Sequence, residues 1–264
     1  MVKERLDKVM VDRGMADSRT RAQALILAGQ VLVDEQRADK PGHAIDMDSE
    51  IRIKGESLRY VGRGGLKLEA ALREFRIDPT GKNCLDVGAS TGGFTDCLLQ
   101  QGASKVWAVD VGHNQLAWKL RDDPRVVVIE GQNARDLKPD QFAERFDLAT
   151  VDVIFISLTK VLPAIRRCLA DHGDCVALVK PQFEVGKGEV GKGGIVTDHQ
   201  KHRRVLREIA DAARAMGFYP IGLIESPILG REGNREFLIH LSCSRSDAHA
   251  SELEPPLEQP EPPE

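Results

Sequence analysis

No stretch of this 264-residue chain approaches the roughly 20 consecutive apolar residues that a membrane-spanning helix needs. The opening residues, M-V-K-E-R-L-D-K-V-M, carry charges where a secretory signal would be apolar. Both absences point to a cytoplasmic protein. Cysteine is sparse and unpatterned: Cys84, Cys97, Cys168, Cys175 and Cys243 form no C-x-x-C pair. Neither a disulfide framework nor a zinc site fits them, and they read as small core residues. A strong charge of either sign is also missing. The net value of −4 comes mostly from the tail after residue 242, where six acidic residues face one basic, and the rest of the chain is close to neutral. That tail is rich in proline and acid and short of apolar groups, which predicts disorder over 243–264 and no catalytic role.

The most informative stretch that is present runs from Asn83 to Leu98, N-C-L-D-V-G-A-S-T-G-G-F-T-D-C-L. An apolar run enters a glycine turn, and a helical pattern follows. No lysine comes after these glycines, so this is not the loop that cradles ATP or GTP phosphates. The spacing Gly88, Gly92, Gly93 is not G-x-G-x-x-G either, which disfavours a nucleotide-dependent dehydrogenase. A nucleoside ligand without a pyrophosphate remains. Asp86 lies just before the turn, where a carboxylate can face an ammonium group. Asp110 ends the next strand about 20 residues after Gly88, where a Rossmann-like site puts an acid on the ribose hydroxyls. Two carboxylates and close glycine backbone suit S-adenosylmethionine, with Gly88, Ser90, Gly92, Gly93 and Phe94 expected against it. Asn133, after the third strand, offers an amide for the adenine edge.

The chain divides near residue 60. Residues 3–16 show a short amphipathic helix (Leu6, Val9, Met10, Val11) closed at Gly14. Ser18 reads as the N-cap of R-T-R-A-Q-A-L-I-L-A, with Gly29 just past its end. Short strands V-L-V-D and E-I-R-I-K-G follow, separated by the turn-rich D-K-P-G-H. Arg19 and Arg21 occupy the first turn of the second helix, where guanidinium groups can bind phosphate; charge pattern alone reads them as a solvated face. The run S-R-x-x-A-x-x-L-I-x-x-G-x-V, within R-L-D-K-V-M-V-D-R-G-M-A-D-S-R-T-R-A-Q-A-L-I-L-A-G-Q-V-L-V-D, resembles an S4 domain. That resemblance implies binding of structured RNA by residues 1–60.

After a lead-in over 61–80, the second module, 81–242, alternates strand and helix. Strand-like runs are N-C-L-D-V, K-V-W-A-V-D, R-V-V-V-I, F-D-L-A-T-V-D-V and D-C-V-A-L-V-K. This predicts an α/β domain with a Rossmann-like parallel sheet covered on both faces. F-Y-P-I-G-L-I-E-S and R-E-F-L-I-H-L-S, joined by a turn, predict a hairpin that ends the sheet. Ligands then bind at the carboxyl ends of the strands. Asp152 and Lys180 sit at two of those ends, Lys67 lies on the helix leading in, and Glu236 opens the last strand.

These four charged residues resemble the Lys-Asp-Lys-Glu tetrad of the FtsJ-like ribose 2′-O-methyltransferases. With Y-V-G-R-G-G-L-K-L, L-D-V-G-A-S-T-G-G-F-T-D, V-D-V-G-H-N-Q-L-A-W-K-L-R, V-K-P-Q-F-E and G-N-R-E-F-L in order, the chain is similar over residues 3–242 to the TlyA (haemolysin A) family, in which an S4 domain precedes such an enzyme. The resemblance implies methylation of cytidine 2′-hydroxyls in ribosomal RNA from S-adenosylmethionine, with Lys67, Asp152, Lys180 and Glu236 catalytic and Asp152 also beside the cofactor. It departs from the family at Ile154, where serine is usual, at His113-Asn114, where Tyr-Gly is common, and at Gly131, where a basic residue is usual. Arg63, Lys187 and Lys192 extend the expected RNA contacts; the glycine-rich run around the two lysines reads equally as a phosphate-binding flap or a mobile linker. Tyr60 is expected to pack between the domains. No metal is expected, since His199 and His202 find no third ligand. Two other readings are an RNA-binding protein without catalysis and a membrane-active haemolysin; the second would need an apolar span or a cationic amphipathic helix, and neither is found.

Overall fold

In the computed structural model the chain divides into two units, Met1–Arg59 and Tyr60–Glu264. The residues described are 3–13, 15–16, 18–34, 36–46, 49, 51–53, 59–186, 188–230 and 233–245. The tail from residue 246, Gly14 and Lys187 therefore lie outside the described residues.

The first unit runs β1 (Lys3–Arg5), α1 (Leu6–Asp12), α2 (Arg19–Leu27), β2 (Val31–Val33), β3 (Gln36–Ala38), β4 (Ala44–Asp46) and β5 (Ile51–Ile53). The first helix starts later than its periodicity predicts, because Lys3–Arg5 pairs antiparallel with β4. The Ser18 hydroxyl accepts from the Arg21 N–H at 3.2 Å and caps α2 as expected. At the other end Gly29 is left-handed (φ 68°). There Gln30 N–H reaches Leu25 O and Gly29 N–H reaches Ile26 O, the double closure that glycine permits. Leu6, Met10, Leu25, Ile26, Val31 and Ile45 meet in one core, and burying each such side chain contributes about 2 kcal/mol.

The second unit begins with α3 (Gly64–Phe75) and continues β6 (Asn83–Val87), α4 (Gly93–Gln100), β7 (Lys105–Val109), α5 (Trp118–Arg121), β8 (Val126–Ile129), β9 (Phe146–Val151), α6 (Leu162–Cys168), β10 (Leu169–Val179), α7 (Pro181–Glu184), α8 (His199–Ala215), β11 (Tyr219–Glu225) and β12 (Phe237–Ser242). Seven strands form one sheet in the order β11-β12-β10-β9-β6-β7-β8. Five are parallel, and the last two form the expected hairpin, with β12 antiparallel to β10 and β11 at the edge. β10 starts five residues earlier than its apolar run, with its register broken between Leu169 and Asp174.

Strand alternation divides the core into two layers. Cys84, Leu148, Val176 and Leu178 face Leu68 and Leu72 of α3 and Leu98 of α4. Leu85, Ala149, Ala177 and Val179 face Ile165 of α6 and Val205 and Ile209 of α8. All five cysteines are buried with free thiols, and burial pushes Cys84 up to about 12. That is inert core behaviour.

Candidate active site

β6 ends at Val87, and Gly88 follows with φ 83°. A Cβ at Gly88 would lie 2.2 Å from the Asp152 carbonyl oxygen, so only glycine lets the turns after β6 and β9 approach this closely. The chain also changes direction here, running β6-β7-β8 to one side and β9-β10 to the other. Such switch points open a crevice at the strand ends. The crevice holds about 800 Å³. Gly88, Ser90, Asp110 and Asn133 line one side, and Asp152 and Lys180 the other.

Asp110 is fixed by two backbone donors, Ser90 N–H at 2.8 Å and Gly112 N–H at 2.7 Å. Each carboxylate oxygen keeps a lone pair for a further donor. Asn133 caps a single turn of helix: its Oδ1 accepts from Arg135 N–H at 3.1 Å and Arg135 Nε at 3.3 Å. The acceptor half of the amide is engaged, so Asn133 has mainly its NH₂ to offer a ligand.

Asp86 corrects the sequence reading. It does not line the crevice but is fully buried beneath the turn, accepting from Thr95 Oγ1 at 2.6 Å and Thr150 Oγ1 at 2.9 Å. Burial pushes its carboxyl up to about 6, opposed by the two threonine bonds. It ties β6 to α4 and β9 rather than facing a ligand. Gly92, Gly93 and Phe94 likewise stand outside the crevice wall. A Cβ at Gly92 would meet Leu120 Cδ1 at 2.2 Å, and one at Gly93 would meet Gly65 N at 3.0 Å. These two glycines let α4 pack against its neighbours, and Phe94 is core.

The four charged residues come together as two ion pairs at one end of the sheet. Lys180 pairs with Asp152 and also donates to Val153 O at 3.2 Å. Lys67, buried on α3, pairs with buried Glu236. The register that sets Phe237 against Val179 puts Glu236 and Lys180 at adjoining strand ends. A Cβ at Gly230 would fall 2.1 Å from Glu236 Oε1, so the turn before β12 closes directly over this carboxylate.

Several residues around the crevice escaped the sequence reading. Phe155 lies in its wall with φ 60° and is 83% exposed, Ile154 beside it is 58% exposed, and the Phe183 ring sits 5.2 Å from Phe155. The available signal was an aromatic residue three positions past the strand-end acid, where the chain has already left the core. Glu184 ties this loop to α7 by accepting from Leu158 N–H at 2.8 Å, and burial raises its carboxyl. The departures His113 and Gly131 turn out to be neighbours. Gly131 has φ 70°, and a Cβ on it would come within 2.9 Å of the His113 ring. The histidine thus occupies space that a side chain at 131 would need.

The remaining candidates scatter. Arg19 Nη2 lies 3.3 Å from buried Asp7, and Arg21 is exposed. Arg63 donates to Leu229 O at 3.3 Å. Lys192 is exposed on a single turn, Lys192–Gly194. Behind it, Asn234 holds the glycine-rich segment by accepting from Val196 N–H at 3.1 Å and donating to Gly194 O at 3.0 Å. Lys201 adds a bond to Glu189 O at 2.8 Å. The described part of this segment is therefore tied down at several points. Tyr60 is buried in the second unit and packs on Gly65. His202 bonds through Nε2 to Val196 O at 2.9 Å. Among the described residues no cluster of three metal-ligating side chains occurs, and no helix is long and apolar enough to cross a membrane.

Residues 60–243 match the family model described as FtsJ-like methyltransferase, and residues 4–51 match the S4 domain. YqxC of Bacillus subtilis is 51% identical over 252 residues, covering 95% of this chain and 90% of that one. The 16S/23S rRNA (cytidine-2′-O)-methyltransferase TlyA of Mycobacterium tuberculosis is 48% identical over 90% of this chain and 89% of its own. A solved structure of a hemolysin-named protein from Streptococcus thermophilus superposes with a TM-score of 0.71 at 48% identity, covering 92% of this chain and 89% of that one.

Proposed function

The chain belongs to the FtsJ-like methyltransferase family, with an S4 domain ahead of the enzyme region, and on that premise we propose that it methylates the ribose 2′-hydroxyl of cytidine in ribosomal RNA. The observation that carries this reading is the joining of Lys180–Asp152 and Lys67–Glu236 at the end of the sheet that also bears the crevice. The relative TlyA, named for 16S and 23S ribosomal RNA, supports the substrate. Ribosomal RNA as substrate puts the reaction in the cytoplasm.

The crevice residues fit S-adenosylmethionine as cofactor. Gly88 has no room for a side chain and leaves its backbone open to the ligand. Asp110 is held for ribose hydroxyls, Asn133 offers amide hydrogens to the base, and Asp152 supplies negative charge suited to a sulfonium. Ser90 and Gly88 line the same wall. When bound, this cofactor supplies a methyl group on a good leaving group. The protein must then aim a hydroxyl and take its proton. Lys180 Nζ accepts that proton after handing its own to solvent, with Asp152 and Val153 O fixing the amine's position. Lys67, oriented by Glu236, holds the ribose. Phe155 gives the target base an exposed ring to stack on. Arg19, Arg21, Arg63, Lys187 and Lys192 contribute phosphate contacts. The mechanism uses no metal.

The test is a mass-spectrometric map of ribose methylation in ribosomal RNA from cells with and without this protein, repeated with the purified chain and S-adenosylmethionine. Loss of 2′-O-methylcytidine in the deletion and its return in vitro is the expected result. An unchanged map with no transfer in vitro refutes the reading.

A further inference from the structure

A buried carboxylate in the S4 unit is used neither by its hydrophobic core nor by the methyl-transfer site. Asp7, in the first turn of α1, is fully buried and takes four hydrogen bonds from three side chains. Arg5 donates through Nε at 3.0 Å and Nη2 at 2.9 Å, a two-point fork. Gln23 Nε2 donates at 2.8 Å and Arg19 Nη2 at 3.3 Å. The Arg5 bonds above all, with those of Gln23 and Arg19, hold the Asp7 carboxyl well below the usual carboxylate range, against the cost of burial. The two arginine side chains are themselves about half exposed, at 48% and 55%. On its other side Arg5 lies close to Gly42, where an added Cβ would stand 3.1 Å from Nη1. One anion, invisible from the surface, thus sets two half-exposed cationic side chains side by side.

We propose that Asp7 is a positioning residue for RNA binding, which pre-arranges Arg5 and Arg19 as a joint clamp for backbone phosphate. The proposal rests on the reading of the first unit as an RNA-binding domain. Two effects of the Asp7 charge oppose each other. Its negative charge weakens the long-range attraction of RNA, but that contribution is screened beyond about 8 Å at physiological salt. Its hydrogen bonds act at contact: they fix two long side chains that otherwise keep much rotamer freedom, and pre-organised donors lose less on binding. Two neighbouring arginines without the shared anion would also repel. Contact geometry therefore outweighs net charge, and removing a negative charge from this protein weakens its hold on RNA.

The experiment measures binding of the full chain to transcribed 16S and 23S ribosomal RNA across a salt series, for wild type, Asp7→Asn, Asp12→Asn and Arg19→Lys. Asp12 is exposed on the same helix, so Asp12→Asn makes the identical charge change without touching the clamp. Asp7→Asn should bind roughly tenfold more weakly near 0.15 M salt, with a salt slope smaller by about one. Asp12→Asn should bind as well as wild type or slightly better. Arg19→Lys keeps the charge and leaves the Asp7–Arg5 fork in place, and it should lose several-fold. Thermal unfolding and cofactor titration report whether each variant is folded. If Asp7→Asn fails to fold, Arg19→Lys against Asp12→Asn decides alone. Folded Asp7→Asn binding as tightly as Asp12→Asn, or Arg19→Lys binding like wild type, overturns the proposal. Failure of wild type itself to bind RNA would instead overturn the reading beneath it.

Discussion

Replacing Gly88 by alanine should disable the enzyme while leaving it folded, and the size of the effect follows from two distances. The left-handed backbone at Gly88 (φ 83°) costs a non-glycine residue about 1 kcal/mol. The new Cβ would stand 2.2 Å from the carbonyl oxygen and 2.8 Å from the carbonyl carbon of Asp152. Ordinary contact needs more than 3 Å, so the turns after β6 and β9 must part by about 1 Å. Asp152 is the ion-pair partner of Lys180, and a 1 Å misplacement at a reacting centre costs on the order of 100-fold in rate. A matched control exists in the same unit. Gly81 has φ 72°, and nothing lies within 4 Å of a Cβ there. Gly81→Ala therefore carries the backbone strain without the clash. Single-turnover methyl transfer should be near wild type for Gly81→Ala and about 100-fold slower for Gly88→Ala, with both melting as cooperative transitions. If Gly88→Ala keeps activity within a few-fold of Gly81→Ala, the close approach does not position Asp152, and the site reasoning fails at its first step.

Four further outcomes are expected. Lys180→Ala and Lys180→Arg should both abolish methyl transfer with cofactor binding retained, since arginine keeps the charge but cannot accept a proton; substantial activity in the arginine variant, read by single turnover across a pH series, would leave Lys180 only an orienting cation. Asp110→Ala should weaken S-adenosylmethionine binding about tenfold or more by calorimetry, and equal binding would remove Asp110 from the cofactor site. Phe155→Ala should raise KM for RNA, with about 1–3 kcal/mol of stacking lost and cofactor affinity unchanged; an unaltered KM would refute the stacking role. Burial raises the folded-state Asp86 carboxyl to about 6 from its ordinary 3.8, so the unfolded form ionises first and the contribution of Asp86 to stability falls as pH rises between those values, staying unfavourable above about 6. Asp86→Asn should flatten that part of the stability–pH curve in thermal melts, and an unaltered slope would refute the assignment.

The large fold was legible because each parallel strand of the second unit is a short apolar run between helical patterns, as in N-C-L-D-V and K-V-W-A-V-D. Smaller elements were not. Lys3–Arg5 is charged, and its strand exists only through pairing with Ala44–Asp46, forty residues away. The early start of β10 at Leu169 has the same cause: A-D-H-G-D carries no strand pattern, and the backbone is extended there by its neighbours.

Legibility of the site followed a different boundary. Position along a strand can be counted from sequence, so residues at strand ends could be placed in the crevice, as with Asp110 and Lys180. What cannot be counted is the direction in which a side chain leaves the backbone one or two residues before the end. Asp86 is one position before Val87, on the face shared with Cys84, and that face packs under α4. The same uncertainty runs the other way past the strand end. In D-V-I-F the pattern resembles more core, yet Phe155 adopts a positive φ and turns into solvent, held by Phe183 and by the Glu184 bond to Leu158. Asp86 had the right neighbourhood and the wrong face, and Phe155 drew no reading at all. A carboxylate inside and a phenyl ring outside each run against hydrophobic sorting, and each is compensated: two threonine hydroxyls for Asp86, a ring and a carboxylate clasp for Phe155. That expense is unexplained by stability at Phe155, where a polar residue would turn outward more cheaply, and it is the physical reason for assigning this ring to a ligand rather than to the fold.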